Sequence, residues 1–244
     1  MAWLLIDNSN TRTKFALGDR DGLLDWRAAI PTADLDPVSL KKTLGGIDFT
    51  AVAVASVVPA KAAVILEHFK GRQPVHSLSW KSPLGFGFRL QERGQIGSDR
   101  LANAVALREK HGFPGIAVDF GTAVTFSVLA SDGDFLGGAI APGTEAMSSY
   151  LNSRTAQLPA IEPVEPASAI GPTTADALQS GIVFGHRGMV RGILREMFSE
   201  LGEKPKVVAT GGGAEFAAKG ISEIDLVDPD LTLEGIRLVA ARVF

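Results

Sequence analysis

The chain has 244 residues and no cysteine, which excludes disulfide frameworks, zinc ribbons and thiol nucleophiles. Its 24 basic and 27 acidic residues give a formal net charge of −3, a balance that argues against a nucleic-acid-binding protein. No apolar run reaches the ~20 residues of a membrane span, and the short apolar N-terminus is not followed by a signal-peptide pattern. We therefore expect a cytoplasmic protein without a membrane or nucleic-acid partner.

The N-terminal half predicts an α/β unit that opens with a β-meander. Apolar runs separated by polar turns predict three strands, and later residues alternate between helical and strand patterns. The predicted strands are 3–6, 13–17, 23–30 and 51–57, the predicted helices are 37–44, 61–70 and 98–110, and 79–97 is predicted as a loop.

The C-terminal half repeats this order. An apolar strand at 116–118 ends in Asp119, a second follows at 124–129, and a third begins at Phe135 and runs to Ile140. Further on we predict helices at 144–152, 174–201 (interrupted near the glycines at 181–188) and 233–244, and a strand at 205–210. This weak internal repeat predicts two similar α/β domains, 1–113 and 114–244, whose aspartate turns face one cleft.

The two turns that begin with an aspartate are candidate phosphate and metal sites. A carboxylate at a strand end, followed by small hydrogen-bonding residues, can hold Mg²⁺ and donate to phosphate oxygens. The first turn comprises Asp7, Asn8, Ser9, Asn10, Thr11, Arg12, Thr13 and Lys14. In the second, Asp119 is followed by Gly121, which permits close backbone approach, and by the Thr122 hydroxyl. The alternative for either turn is a polar hairpin with an exposed aspartate.

Two further segments lie at the start of predicted helices and carry groups that can bind an anion or transfer a proton. Gly211, Gly212 and Gly213 follow an apolar strand, so their N–H groups can bind an anion or nucleotide, although a plain strand-to-helix turn has the same pattern. Gly97 to Arg100 opens a predicted helix, where Asp99 is either a general base or a residue that favours the helix dipole. P-loop, dinucleotide and nucleophile-elbow motifs are absent, and the four histidines are scattered.

The ordered set of these motifs resembles the type III pantothenate kinases, of the acetate kinase–sugar kinase–Hsp70–actin superfamily. The matching segments run in the family's order from residue 3 to about residue 236: 7–14, 97–103, 119–125, 137–143, 170–181 and 210–212. The resemblance implies two duplicated ribonuclease-H-like or actin-like α/β domains, with mixed sheets flanked by helices and a cleft between them. It also implies a homodimer that phosphorylates pantothenate with ATP, the entry step to coenzyme A.

The resemblance also implies residue roles. Asp7 would hold Mg²⁺, residues 7–14 with Gly211 and Gly212 would bind ATP, and Thr122 would contact the γ-phosphate. Asp119 would bind an activating monovalent cation, K⁺ or NH₄⁺. Asp99 would be the general base. The pantothenate pocket would be lined by Gly97, Ser98, Asp99, Arg100 and, from the C-terminal half, Thr174.

Three positions depart from the family's pattern. Ser9 stands where a glycine is usual, Leu90 replaces a substrate-contacting tyrosine, and Arg93 replaces a proline three residues later. Two alternative functions follow from the same resemblance: a non-catalytic regulator similar to an accessory transcription factor, and a kinase of another small alcohol, which Leu90 and Arg93 motivate.

Overall fold

Eleven strands and seven α-helices make up the fold of the computed structural model, which describes residues 1–244. The strands are β1 Trp3–Asn8, β2 Arg12–Gly18, β3 Leu23–Pro31, β4 Ala51–Ser56, β5 Val75–Ser77, β6 Gly115–Phe120, β7 Ala123–Leu129, β8 Phe135–Gly137, β9 Ile140–Pro142, β10 Lys206–Thr210 and β11 Leu226–Val227. The helices are α1 Pro37–Thr43, α2 Pro59–Phe69, α3 Ser98–Ala106, α4 Thr144–Arg154, α5 Thr174–Leu201, α6 Ala214–Ala218 and α7 Leu231–Val243.

The two sheets share one strand order. In the first, the order is β3-β2-β1-β4-β5, with β1, β2 and β3 antiparallel and β4 parallel to both β1 and β5. In the second, the order β8-β7-β6-β10-β11 follows the same path, and β9 pairs with β7. A meander followed by parallel strands thus occurs twice, which confirms the predicted repeat and the predicted fold class of mixed sheets flanked by helices.

Residues on alternate sides of β1 and β4 build two core layers, as the two-residue period of a strand requires. On one side, Leu5 and Ala53 pack with α3 and α7. On the other, Leu4 and Val52 pack with apolar side chains of α1 and α2. Both strands are therefore buried on both faces, which explains their continuous apolar sequences.

The chain divides into two compact units. Unit 1 comprises residues 1–115, 127–137 and 230–244, and unit 2 comprises 116–126 and 138–229. Helix α7 packs within unit 1, where Thr232 donates a buried hydrogen bond to Asn103 of α3 (2.8 Å). This grouping differs from the predicted division into 1–113 and 114–244, because residues 127–137 and 230–244 group with unit 1 through long-range contacts that the local sequence pattern does not show. The domain boundaries stay a prediction.

Two local predictions are wrong. The predicted third strand of the second repeat is split into β8 and β9, because Gly137 and Gly138 have φ angles of 116° and 147°. Helix α5 runs without interruption over 28 residues. Its four glycines at 181, 185, 188 and 192 cost about 0.5–1 kcal/mol each, but burial of the side chains on its other face contributes about 1.5–3 kcal/mol per residue. Those buried apolar residues are Ile182, Val183, Val190 and Leu194.

None of the helices is both long enough and apolar enough to span a membrane.

Candidate active site

The first aspartate turn lies at the carboxyl end of β1 in unit 1. Asp7 and Asn8 are buried last residues of the strand, and Lys14 of β2 is the cross-strand neighbour of Asp7. The Ser9 hydroxyl donates a hydrogen bond of 2.7 Å to Asp7 Oδ1. The residue that replaces the expected glycine thus contacts the predicted metal ligand directly.

A network of hydroxyl groups holds this turn in place. Asn8 Nδ2 donates to Thr13 Oγ1 (2.7 Å), and the Thr32 hydroxyl donates to the Ser9 carbonyl (2.7 Å). Ser9 has no positive φ, so the turn needs no glycine at this position. Asn10, Thr11 and Arg12 form the exposed tip. The sequence gives no signal for Thr32, because it lies 19 residues beyond Thr13 and reaches the turn only through the meander.

The start of α3 lies at the same edge of the first sheet. Ser56, the last residue of β4, donates to Asn8 Oδ1 (2.6 Å), and the Ser98 hydroxyl donates to the Ser56 carbonyl (3.0 Å). These two bonds connect the end of β1 with the residue before Asp99. Ser56 is therefore a second structural contributor that sequence reasoning missed; its small polar side chain after the run Ala51–Ala55 is the available signal.

Asp99 follows Ser98 at the start of α3 and is the acidic residue of its first turn. Burial raises the pKa of the Asp99 carboxyl above its ordinary value, and the Arg100 backbone N–H (2.7 Å from Oδ1) and the Arg100 charge offset part of that shift. A base whose pKa lies closer to neutral pH accepts a proton more readily than an ordinary carboxylate. A Cβ atom on Gly97 would lie 2.5 Å from Asp99 Oδ1, so the glycine leaves room for the carboxylate.

The loop before Gly97 carries the other two departures from the family pattern. Phe88 pairs with Phe135 of β8, and the Arg93 guanidinium lies 5.4 Å from the Phe88 ring centre. On the other ring of this pair, the Arg100 guanidinium lies 5.8 Å from the centre of Phe135. Leu90 lies against Gly137. Arg93 and Arg100 thus rest on one aromatic pair of unit 1. This pair links the loop that carries Leu90 and Arg93 to Arg100 of the predicted pantothenate pocket.

In unit 2, the second aspartate turn and the triple-glycine turn are brought together. Gly211 has φ +93°, and the Asp119 carboxylate lies directly beside its Cα. Gly213 donates its N–H to the Phe120 carbonyl (2.9 Å). This pairing joins the carboxyl ends of β6 and β10, so two segments far apart in the sequence form one surface.

Thr122, in the second aspartate turn, is exposed. Its carbonyl accepts the N–H of Gly143 (3.1 Å), and a Cβ atom on Gly143 would lie 2.6 Å from the same oxygen. Thr174 is the exposed first residue of α5, behind the N-cap Thr173. The described contacts of unit 2 join Asp119 with Gly211 and Thr122 with Gly143, but they do not include Thr174.

The donor set of the first turn fits Mg²⁺. No group of three or more histidine, aspartate or glutamate side chains is placed to enclose a metal ion. Mg²⁺ does not require such an enclosure, because it keeps several waters and is usually bound by one or two carboxylates together with substrate phosphates. Asp7, oriented by Ser9, offers a carboxylate of this kind. In chemical terms, unit 1 holds two candidate groups, the Asp7 carboxylate and the Asp99 carboxyl, whose neighbours Asn8 and Ser98 are joined through Ser56. In unit 2, the amide groups of the Gly211–Gly213 turn and the Thr122 hydroxyl are donors of a kind that binds phosphate.

Comparison with known proteins identifies the family. The sequence profile of the type III pantothenate kinases matches residues 3–196. The chain is 48% identical over 240 residues to the type III pantothenate kinase of Akkermansia muciniphila, covering 98% of both chains. It is 40% identical over 238 residues to that of Methylacidiphilum infernorum, covering 97% of this chain and 87% of the relative.

Solved structures agree on the fold. A Campylobacter jejuni protein described as a Baf family transcriptional activator superposes with a TM-score of 0.62 at 20% identity, over 98% of both chains. A Listeria monocytogenes protein described as an N-acetylmannosamine kinase superposes with a TM-score of 0.60 at 12% identity, over 100% of this chain and 99% of its own. At these identities the likeness concerns the fold of sugar kinases and actin. From the profile match and the full-length relatives, the chain belongs to the type III pantothenate kinase family.

Proposed function

We propose that this phosphotransferase, which phosphorylates pantothenate for coenzyme A biosynthesis, uses Asp99 as its general base. The observation that carries the proposal is the position of Asp99: a carboxyl whose pKa is raised by burial, connected through Ser98 and Ser56 to the end of β1, where Asp7 lies. A base and a metal-competent carboxylate at one sheet edge are what transfer to a hydroxyl requires.

In the proposed reaction, the pantothenate hydroxyl oxygen attacks the γ-phosphorus of ATP while Asp99 Oδ takes the hydroxyl proton, and ADP leaves. Arg100 binds the pantothenate carboxylate, and Gly97, Ser98 and Thr174 line the pocket. Mg²⁺, when bound at Asp7, neutralises charge on the phosphate oxygens. A positioned base contributes about 10²- to 10⁴-fold to the rate.

The nucleotide side of the proposal uses both turns. Residues 7–14, Gly211 and Gly212 bind ATP, and the Thr122 hydroxyl donates to the γ-phosphate. Asp119 binds the monovalent cation, K⁺ or NH₄⁺. The close approach of Gly211 to Asp119 supports this assignment, because it leaves the carboxylate and the backbone of the nucleotide turn adjacent. We further propose a cytoplasmic homodimer.

The test follows ADP release from purified protein with ATP, Mg²⁺, K⁺ and pantothenate, and identifies the product by mass. Asp99→Asn is expected to lower kcat by about 10²- to 10⁴-fold, whereas Asp48→Asn, at a carboxylate of unit 1 away from the predicted site residues, should leave it unchanged. Replacing K⁺ with Na⁺ should reduce turnover, and light scattering should give twice the chain mass. Absence of turnover at millimolar substrates would refute the proposed function, and full activity of Asp99→Asn would refute the base assignment.

A further inference from the structure

Arg187 is a buried cation on α5 that pairs with an exposed partner. Its side chain is 7% exposed, and its two terminal nitrogens donate to the two oxygens of Glu165 at 2.8 and 2.7 Å. The fork geometry matches both carboxylate oxygens, which makes such pairs strong and directional. The hydrogen bonds from Arg187 hold the pKa of the Glu165 carboxyl below its ordinary value. Glu165 therefore stays charged, and paired with Arg187 of α5, to a lower pH than an ordinary glutamate would.

Glu165 lies in the middle of the segment that connects α4 with α5, residues 155–173 (the connecting segment). Neutral side chains anchor this segment elsewhere through its carbonyl groups: Ser148 donates to Ile161 (2.8 Å) and Ser180 to Ala169 (2.6 Å). The bidentate pair adds a charged anchor between them. The connecting segment ends at Thr173, directly before Thr174.

The other side of Arg187 contacts α6. One terminal nitrogen also donates to the Phe216 carbonyl (3.0 Å), and the guanidinium lies 5.2 Å from the centre of the Phe216 ring. A Cβ atom on Gly220 would lie 2.6 Å from Arg187 Nε and 2.8 Å from Cζ. Because Gly220 has no side chain, the Arg187 guanidinium can lie directly beside its backbone. Helix α6 follows the Gly211–Gly213 turn, so Arg187 connects both substrate-side segments of unit 2.

We propose that Arg187 and Glu165 are positioning residues for pantothenate phosphorylation. Their ion pair fixes the connecting segment, and with it the start of α5, relative to the helix that follows the nucleotide turn. The inference rests on the proposed roles of Thr174, Gly211 and Gly212. A segment that is already ordered loses less conformational freedom when substrate binds, and that saving appears in KM rather than in kcat.

The experiment compares Glu165→Gln with Glu223→Gln. Glu223 accepts hydrogen bonds from Arg191 (3.2 Å) and Arg195 (3.1 Å), so this control also removes a carboxylate partner of α5 arginines, but away from the connecting segment. Glu165→Gln is expected to raise the pantothenate KM by about 3- to 10-fold, with the ATP KM and kcat within about twofold of wild type. Glu223→Gln should lower the Tm and leave both KM values unchanged.

A second variant tests the α6 side. Gly220→Ala should displace the guanidinium from Phe216 and raise the KM for ATP as well as for pantothenate. A wild-type pantothenate KM in Glu165→Gln would overturn the proposal, as would a rise that Glu223→Gln reproduces, since that rise would reflect stability alone.

Failure of the proposed function is distinguished by amide hydrogen exchange, which needs no turnover. If the wild-type chain does not phosphorylate pantothenate, the proposed function falls. Faster exchange over residues 158–173 in Glu165→Gln, and not in Glu223→Gln, then still supports the ion pair as the device that orders the connecting segment. Unchanged exchange overturns it.

Discussion

Replacing Gly211 with alanine tests the contact between the Gly211–Gly213 turn and Asp119. The added Cβ would meet the Asp119 carboxylate and would lie 2.8 Å from both the N and the O of Phe120. Two of these three atoms are backbone and cannot move without shifting β6. The φ of +93° is also one that L-residues rarely adopt. Gly212 is a matched control, because a Cβ added there would have no atom within 4 Å and its φ is not positive.

The magnitude follows from these two causes. Left-handed backbone costs an L-residue about 1–2 kcal/mol, and overpacking against a fixed neighbour costs about 1–3 kcal/mol. We therefore expect Gly211→Ala to lower the free energy of unfolding by about 2–5 kcal/mol, which corresponds to a Tm lower by about 4–20 °C for a chain of this size. Gly212→Ala should stay within about 0.5 kcal/mol of wild type.

The assay combines thermal unfolding of both variants with a K⁺ titration of activity at a temperature where each is folded. Because Asp119 is the side chain that the new methyl group displaces, Gly211→Ala should raise the K⁺ concentration at half-maximal activity, and Gly212→Ala should not. Equal Tm values for the two variants would refute the steric argument. A destabilised Gly211→Ala with an unchanged K⁺ response would refute the cation role of Asp119.

Three further predictions concern charged and polar groups. Because burial raises the folded-state pKa of Asp99, its carboxyl favours folding only at acid pH and loses that contribution as pH rises through the folded value. Asp99→Asn should therefore raise the Tm at pH 7 while lowering kcat by about 10²- to 10⁴-fold, and a lower Tm would contradict this. Ser9→Ala removes a hydrogen bond to Asp7 worth about 1 kcal/mol, so the Mg²⁺ concentration at half-maximal activity should rise roughly fivefold, and an unchanged value would contradict the metal assignment. Burial and, to a smaller extent, the Arg187 charge lower the pKa of His186, so stability should fall as pH drops below about 6.5, where the unfolded chain binds the proton more readily. In His186→Phe the Tm should therefore change less between pH 7 and pH 5 than in the wild type. The same change of Tm in both proteins would contradict this.

The sequence predicted what is encoded locally. Both meanders, with Asp7 and Asp119 at the ends of their first strands, follow from apolar runs interrupted by polar turns. The N-cap of α1 is local in the same sense, because the Asp36 carboxylate accepts the Ser39 N–H (2.7 Å) in a capping box. Such features depend on neighbours within a few residues, so that a single sequence contains the necessary information.

The supports of the site depend instead on residues far apart in the chain. Thr32 reaches back to Ser9, Ser98 reaches Ser56, and Thr232 bonds Asn103 across 129 positions. None of these pairs has a spacing that favours contact, because each is created by the order of strands and helices rather than by a local period. Burial also overrode propensity in α5, where glycines did not break the helix.

Replacing a glycine of α5 with alanine should stabilise the protein, whereas the same replacement at Gly211 should destabilise it. Gly188 is exposed, lies inside the helix and has no atom within 4 Å of an added Cβ. Alanine at that position adds no strain and reduces the freedom of the unfolded chain, so Gly188→Ala should raise the free energy of unfolding by about 0.5–1 kcal/mol. The Tm should rise by about 1–4 °C. A lower Tm, together with a smaller mass in light scattering, would contradict the exposure of this face and place a second copy of the chain against it.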